Sequence, residues 1–221
     1  MDPGEKQTGQ YVVHQRARAY LQRLCDLVLR VEATDPEGAP YGLDAGAGLA
    51  VDMILSVRSG GKKIMIVGNG GSQAIASHLQ TDLCSAVGIR AMVFDGPGTL
   101  TALSNDHGYE SVFERPIRLW ANPGDLLLAI SSSGKSENIL RAAESARGRD
   151  CRVITLSGFR PDNPLRRLGS VNFYVPSETY GLVELAHAAL AHFLADSAVM
   201  LRLQQARQVT TEIWTPSDRS S

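Results

Sequence analysis

The sequence predicts an α/β protein with a doubly wound, parallel five-stranded sheet flanked by helices and with an N-terminal helical extension. Three observations indicate this class. Short apolar runs such as 64–67 have the continuous hydrophobicity of strands that are buried on both faces. These runs alternate with stretches of helical periodicity, which is the order typical of parallel sheets. The 221 residues are enough for one such domain with a substantial core.

Helices precede the sheet. Between residues 11 and 31, apolar residues such as Leu21, Leu24 and Val28 recur at helical spacing, so we expect an amphipathic helix there. A second helical pattern covers 49–57 and stops at a pair of glycines. We therefore divide the chain into an N-terminal helical segment (1–48), a main domain (49–205) and a flexible tail (206–221).

Strands and helices then alternate along the main domain. We expect strands at 64–67, 91–94, 126–130, 151–156 and 171–175. We expect helices at 72–85, 99–102, 111–120, 137–147 and 182–203. Ligands of doubly wound sheets bind at the carboxyl ends of the strands, so the turns that follow the strands are the candidate site.

Composition argues against several classes of protein. The net charge is −1 and the sequence pI is about 6.5, so we expect no nucleic-acid partner. No uncharged apolar segment reaches the length of a membrane span and the N-terminus lacks a signal pattern, so we expect no membrane association. Three widely spaced cysteines, Cys25, Cys84 and Cys151, fit the reduced thiols of a cytoplasmic protein.

Two strand-to-helix turns are rich in glycine and serine: Gly-Asn-Gly-Gly-Ser at 68–72 and Ser-Ser-Ser-Gly-Lys-Ser at 131–136. Small residues let backbone N–H groups approach a ligand, hydroxyls add donors, and the following helix contributes its positive end. Together the turns predict an anion site and hence a phosphorylated substrate. Taken alone, the first could be a tight turn and the second a helix cap. The first matches neither a Walker loop nor the dinucleotide fingerprint, because Gln73 stands at the third glycine position.

A second group of residues could supply acid–base or metal chemistry. His78 and Asp82 are four residues apart and share one face of a helix. Glu184 and His192 are eight residues apart on the last helix, offset by about 80°. Two histidines and two carboxylates could hold zinc or a similar divalent ion. Taken alone, His78 and Asp82 could also be an ordinary pair on the protein surface, and His192 could be a histidine of the core.

These motifs resemble the SIS (sugar isomerase) domain, and in particular the phosphoheptose isomerases, which act on sedoheptulose 7-phosphate. The resemblance rests on both turns and on segments 104–109, 124–130 and 153–158, in the same order over roughly 49–203. It implies that the serine turn holds a sugar phosphate. The substrate-binding residues that it implies are Asn69, Gly70, Gly71, Ser72, Asn105, Asp106, Ser131, Ser132, Ser133, Ser136 and Glu184.

The resemblance also implies a reaction. It is the aldose–ketose isomerisation of a long-chain sugar phosphate through a cis-enediol, in a homotetramer with sites at the subunit interfaces. The implied cofactor is Zn²⁺ held by His78, Asp82, Glu184 and His192. The implied catalytic residues are Asp82, as general base, and His192, as general acid and base. For His187 we favour a supporting or packing role over a ligand role.

The chain departs from the family pattern at four positions. Asp82 and Glu184 stand where the family has glutamate and glutamine, and Ala86 and Gly181 where it has arginine and aspartate. These departures bear on the substrate more than on the reaction. Two alternatives to an isomerase of sedoheptulose 7-phosphate stay open. One is an isomerase of a related octulose 8-phosphate in secondary metabolism. The other is a non-catalytic SIS regulatory or scaffold protein, which the presence of Asp82 and His192 disfavours.

Overall fold

The computed structural model of the chain describes the backbone of residues 16–213 and the side chains of residues 16–205. The α-helices in this range are α1 Ala17–Val28, α2 Leu43–Ser59, α3 Gly71–Asp82, α4 Pro97–His107, α5 Glu114–Trp120, α6 Glu137–Arg147 and α7 Tyr180–Ile213. The strands are β1 Glu32–Thr34, β2 Lys63–Val67, β3 Arg90–Val93, β4 Leu126–Ser131, β5 Arg152–Ser157 and β6 Val171–Tyr174.

The strands form one sheet in the order β1-β6-β5-β4-β2-β3. The five strands from β2 to β6 are parallel, which confirms the predicted fold class. The chain builds outward from β2 to β3 and then returns to place β4 on the other side of β2. The strand order therefore reverses between β2 and β4, and ligands of open α/β sheets bind at such a reversal. The two glycine- and serine-rich turns follow these two strands.

The sheet has six strands rather than the predicted five. The additional strand is β1, which pairs antiparallel with β6 at the edge of the sheet. Asn172 of β6 is buried, and its Nδ2 donates to the carbonyl oxygens of Thr34 at 3.3 Å and Asp35 at 3.1 Å. A strand of three residues is too short to show periodicity, so it could not be predicted from the sequence. The long-range contacts of Asn172 hold β1 in the sheet.

Helices cover both faces of the sheet. Ile64 and Ile66 of β2 face a core shared with α2, α3 and α7, whereas Met65 and Val67 face a second core shared with α5 and α6. All four side chains are fully buried, as the continuous apolar run predicts. The sheet is thus a rigid platform that fixes the turns at its carboxyl edge.

Several helices differ in extent from the sequence prediction. Helix α2 begins six residues before the predicted start at 49, where Gly46 and Gly48 lower the helix propensity of the sequence. Helix α4 extends from Pro97 to His107 rather than over 99–102. Helix α7 continues to Ile213, past the predicted start of the tail at 206, because neither glycine nor proline interrupts residues 204–213. Residues 11–15 of the predicted first helix and 214–221 of the predicted tail lie outside the described residues.

Helix α7 is the main apolar helix of the fold. Within the described part of the chain, its stretch Tyr180–Gln205 is the one long and apolar enough to cross a membrane by length and composition, although we expected no such segment. Half of the most apolar 18-residue stretch of α7 is buried inside the domain, where the helix packs against α1, α2 and α3. Burial of this kind is also found in the core helix of a globular domain.

Candidate active site

The serine turn forms one wall of a cavity of about 140 Å³ between β4 and the first turn of α6. The Ser131 hydroxyl donates to the Ser136 Oγ at 3.2 Å. Ser132 is 5% exposed, and its Oγ has no hydrogen-bond partner among the described residues. A buried hydroxyl without a partner beside a helix N-terminus fits a wall that binds an anion. The cavity is lined by Asn69, Ser72, Ile130, Ser131, Ser132, Ser133, Ser136, Tyr180 and Glu184.

The shape of the serine turn is fixed by the loop that follows β5. Gly134 has a φ of 62°, and a Cβ at this position would lie 2.0 Å from the Oδ1 of Asn163. Asn163 is buried, and its Nδ2 donates to the Gly158 carbonyl at 3.2 Å and to the Arg160 carbonyl at 2.8 Å. The backbone N–H of Leu165 donates to the carbonyl of Gly134. The turn is therefore held before any ligand binds.

The first glycine-rich turn brings Asn69 and Ser72 to the same cavity. Gly71 begins α3 directly beneath the side chain of Glu184, since a Cβ on Gly71 would lie 2.6 Å from the Glu184 carboxylate. Glu184, on α7, thus lines the serine cavity, and any side chain at position 71 would displace it. The structure brings together both turns and Glu184, as expected for a substrate pocket.

A cluster of titratable residues lies further along the same two helices. The Oδ2 of Asp82 is 3.5 Å from the Nε2 of His78 and 3.7 Å from the Nδ1 of His192. One possible ligand atom from each of the three residues lies within 4.8 Å of the others. The two imidazole rings meet edge to face, with centroids 4.9 Å apart. His192 is 55% exposed, so it is not the core histidine that the sequence pattern had allowed.

This cluster adjoins a second cavity, of about 200 Å³, between α3 and α7. Its other walls are apolar, so the charged and polar atoms in it belong to the three clustered side chains. Two imidazole nitrogens and a carboxylate oxygen are ligands that zinc accepts, and three protein ligands with one open position are typical of catalytic zinc. The donor set therefore fits the predicted metal. The apolar lining residues are Ala74, Ile75, Leu79, Ala188 and Ala191.

Glu184 is not in this cluster. It precedes His192 by eight residues, which is about 12 Å along the axis of α7, and its carboxylate lies against Gly71. Within the described residues of one chain, the structure thus brings together three of the four predicted metal ligands. The spacing of Glu184 and His192 along α7 could be predicted from the sequence, whereas the distance between the Glu184 carboxylate and the His192 imidazole could not.

Asn105 and Asp106 lie apart from the serine cavity. Both are exposed near the C-terminal end of α4, and Asn105 donates to the carboxylate of Asp106 at 2.9 Å. Neither lines the cavity. Tyr109, three residues further on, reaches the first turn instead, because its hydroxyl donates to the Oδ1 of Asn69 at 2.8 Å.

His187 is the buried histidine of α7. It is completely buried, and its Nε2–H donates to the carbonyl of Ser157 at 3.1 Å. Burial disfavours the charged imidazolium and lowers the pKa of His187 to about 4. A neutral histidine that binds α7 to the end of β5 has the packing role expected for it, rather than a ligand role.

Comparison with known proteins identifies the family of the chain. The SIS domain model matches residues 45–158. The chain is 37% identical over 155 residues to the phosphoheptose isomerase of Helicobacter hepaticus, and the alignment covers 66% of this chain and 78% of that protein. The chain belongs to the phosphoheptose isomerases of the SIS domain family. A second such enzyme, from Shewanella denitrificans, is 34% identical over 171 residues and is matched over 84% of its length, with 73% of this chain covered.

Solved structures of the family have the same fold. The phosphoheptose isomerase of Neisseria gonorrhoeae superposes with a TM-score of 0.66 and 30% identity, over 69% of this chain and 85% of that one. The phosphoheptose isomerase of Francisella tularensis gives a TM-score of 0.72 with 26% identity, over 83% and 96%. Family membership identifies a sugar-phosphate isomerase and thus disfavours the non-catalytic alternative.

Four residues that shape this phosphoheptose isomerase site were not predicted from the sequence. Asn138 lies on the buried stripe of α6 with Ala142 and Ala146, so a polar residue at an apolar position was a usable signal. For the other three residues the sequence offers no such signal, because the glycine- and serine-rich turns that they meet are distant from them in the chain. These residues are Tyr109, Asn163 and Tyr180.

Proposed function

We propose that this isomerase interconverts sedoheptulose 7-phosphate and a heptose 7-phosphate through a cis-enediol. Family membership supports the reaction type. The observation that carries the proposal is that one pair of helices, α3 and α7, borders both the serine cavity and the His78–Asp82–His192 cluster. An anion site and an acid–base cluster on one helix pair suit a substrate with a phosphate at one end and a carbonyl at the other.

The serine cavity binds the phosphate in this proposal. The hydroxyl of Ser132, which has no partner in the described part of the chain, and the N–H groups at the start of α6 donate to the phosphate oxygens. Ser72 and the start of α3 contribute donors from the opposite turn. Glu184 is negatively charged, so it suits the hydroxyl groups of the sugar, which can donate to a carboxylate, rather than the phosphate.

Asp82 and His192 perform the proton transfers. The Asp82 carboxylate removes a proton from carbon 1 of the open-chain ketose, and the electron pair forms the carbon–carbon double bond of the enediol. His192 donates a proton to the carbonyl oxygen on carbon 2, which completes the enediol. Asp82 then returns a proton to carbon 2 while His192 accepts the proton of the hydroxyl on carbon 1, whose electron pair forms the aldehyde carbonyl of the aldose. The 3.7 Å separation of the two groups supports a shared substrate contact.

Zn²⁺ is the metal that we propose for the cluster, held by His78, Asp82 and His192. When bound, it would act as a Lewis acid toward the negative charge that develops on the enediolate oxygen. The fourth predicted ligand, Glu184, could join the same site only from another position of its side chain or from another subunit.

We further propose a homotetramer with interfacial sites, located in the cytoplasm. Four large apolar residues of α7 are exposed within a sector of about 80° on the helix, and they are Leu185, Phe193, Met200 and Leu203. His192 borders the same sector. An apolar face of this kind is typical of a protein–protein contact and would bring a second subunit to the edge of the cluster.

A product assay tests the function. Sedoheptulose 7-phosphate and an octulose 8-phosphate are each incubated with the enzyme, with and without a chelator, and the aldose products are quantified. We expect turnover of the heptulose phosphate and its loss with the chelator. Preferred turnover of the octulose phosphate would select the alternative substrate, and no turnover of either sugar would contradict the isomerase proposal.

Asp82→Asn tests the assignment of the base. The amide cannot accept the proton, so we expect turnover to fall by about 10³-fold or more while phosphate binding at the serine cavity is retained. The measurements are initial rates and calorimetric titration with inorganic phosphate. Retained activity would remove Asp82 from its role.

A further inference from the structure

Asn69 is held in a hydrogen-bond network that joins three separate segments of the chain. Its Oδ1 accepts from the Nδ2 of Asn138 at 2.9 Å and from the hydroxyl of Tyr109 at 2.8 Å. Its Nδ2 donates to the Oδ1 of Asn138 at 2.9 Å. An amide nitrogen carries two N–H donors, so within the described part of the chain one donor of Asn69 has no partner. Asn69 lines the serine cavity, where that donor can serve a ligand.

The orientation of this amide decides whether the cavity wall attracts or repels an anion. With the present orientation Asn69 offers an N–H group, whereas the reversed amide would offer a carbonyl oxygen. The reciprocal pair with Asn138 does not decide between the two, because both amides could be reversed together and still bind each other. The choice therefore falls to the third member of the network, Tyr109.

Tyr109 favours the orientation that suits an anion. A phenol donates a hydrogen bond more strongly than it accepts one, because its lone pair is delocalised into the ring. Its hydroxyl therefore prefers the amide oxygen of Asn69 on its side, which leaves the nitrogen for the cavity. Asn138 is only 3% exposed, so it cannot move away to relieve an unfavourable arrangement.

Packing does not explain Tyr109. The residue lies in the short 3₁₀ turn Tyr109–Ser111 and is 54% exposed. Among the described residues, the side-chain partner of its hydroxyl is Asn69, which lies 40 residues away in sequence. A half-exposed tyrosine with its hydroxyl committed to a cavity-lining amide indicates a role in the cavity.

We propose that Tyr109 is a positioning residue for phosphate binding, which acts by holding Asn69 with an N–H donor toward the anion. The proposal rests on the proposed function in one respect, namely that the serine cavity is the phosphate site. Tyr109 itself need not touch the substrate. Its contribution is the hydroxyl group and not the aromatic ring.

The test compares Tyr109→Phe with Tyr109→Ala. Both variants lose the hydroxyl, so we expect both to weaken the binding of inorganic phosphate about fivefold, the effect of one lost hydrogen bond. We expect the KM for sedoheptulose 7-phosphate to rise by the same factor while kcat stays within twofold. Tyr41→Phe is the matched control, since Tyr41 is also exposed and lies in the loop before α2. It should change neither quantity.

A double-mutant cycle shows whether Tyr109 acts through Asn69. In an Asn69→Ala background, Tyr109→Phe should have no further effect on phosphate binding. An equal loss in both backgrounds would overturn the proposal, as would full phosphate binding by Tyr109→Phe. Phosphate titration does not require turnover. If the wild-type protein binds phosphate but isomerises no sugar, the proposed function fails while the role of Tyr109 is still tested.

Discussion

His187 illustrates how one buried side chain couples stability to pH. Its ring is fully buried and neutral, it donates to the Ser157 carbonyl, and its Nδ1 has no partner among the described residues. Protonation would place a charge in the core beside Val183 and Leu190 of the same helix. Among the described residues the hydrogen-bond partner of His187 is the neutral Ser157 carbonyl and not a carboxylate. The folded protein therefore resists protonation that the unfolded chain accepts.

The stability of the protein should fall at acidic pH because of this residue. The folded pKa of about 4 lies below the ordinary value of 6.5, so the stabilisation is complete above pH 6.5 and is lost as pH falls toward 4. We expect the free energy of unfolding to fall by about 3 kcal/mol between pH 8 and pH 4, and urea titrations at the two pH values check this. His187→Gln should show a flatter pH dependence, whereas the exposed His107→Gln should not. Equal pH profiles for all three proteins would contradict this role.

For individual residues, contacts could be predicted from the sequence where the two partners are close in the chain. His78 and Asp82 meet because a helix always brings residues four apart together. The position of Glu184 depends on how α7 packs against Gly71, and the link from Tyr109 to Asn69 spans 40 residues. Such contacts follow from tertiary packing, which periodicity does not contain.

The serine turn and α6 show how an element prepares a binding site. Gly134 has a left-handed φ of 62°, which glycine adopts without strain, and Asn163 occupies the space that a side chain at this position would need. The loop after β5 then donates to the Gly134 carbonyl. The hydroxyl groups and N–H groups of the turn are therefore arranged by the neighbouring strand as well as by the turn itself.

Gly134→Ala should weaken phosphate binding strongly with little loss of the fold. The added Cβ would overlap the side chain of Asn163, so the turn must open and its donors must separate. We expect at least a tenfold weaker phosphate affinity by calorimetry, with an unchanged far-ultraviolet dichroism spectrum. Gly98→Ala is the control, because a Cβ at Gly98 meets nothing within 4 Å. Wild-type affinity in Gly134→Ala would show that the turn does not bind the anion.

Helices and strands were predicted correctly where their apolar residues form a clear pattern. The five parallel strands are short, largely apolar segments bounded by turn residues, so each was found. Strand β1 was missed because three residues carry no period and because Asn172, which holds it, lies on the neighbouring strand β6, far away in the sequence. The start of α2 was predicted too late because glycines lower its helix propensity. The end of α7 was predicted too early because the polar composition of its last residues suggested a tail.

At the scale of the whole molecule, α7 links three functions. It contributes Glu184 to the serine cavity and His192 to the titratable cluster, and it exposes an apolar face beside that cluster. A helix with one side in the core and the other apolar and exposed is typical of an assembly interface. Assembly and activity should therefore be coupled.

Phe193→Asp should dissociate the assembly. Phe193 is 52% exposed next to His192, and a carboxylate there would be buried without a partner in an interface. We expect light scattering to show a smaller species and activity to fall at the same protein concentrations. Leu119→Asp is the control, because Leu119 is also exposed but lies on α5, away from α7. An unchanged mass for Phe193→Asp would exclude this face as the interface.

In the proposed mechanism Asp82 and His192 move a proton through an enediol, and isomerisation in D₂O followed by proton NMR tests this proton transfer. An enediol exchanges its proton with the solvent through the catalytic carboxylate, so the aldose formed from sedoheptulose 7-phosphate should carry deuterium at carbon 2. In Asp82→Asn both product and deuterium should be absent. Product that contains no solvent deuterium at equilibrium would indicate a hydride shift and would contradict the mechanism.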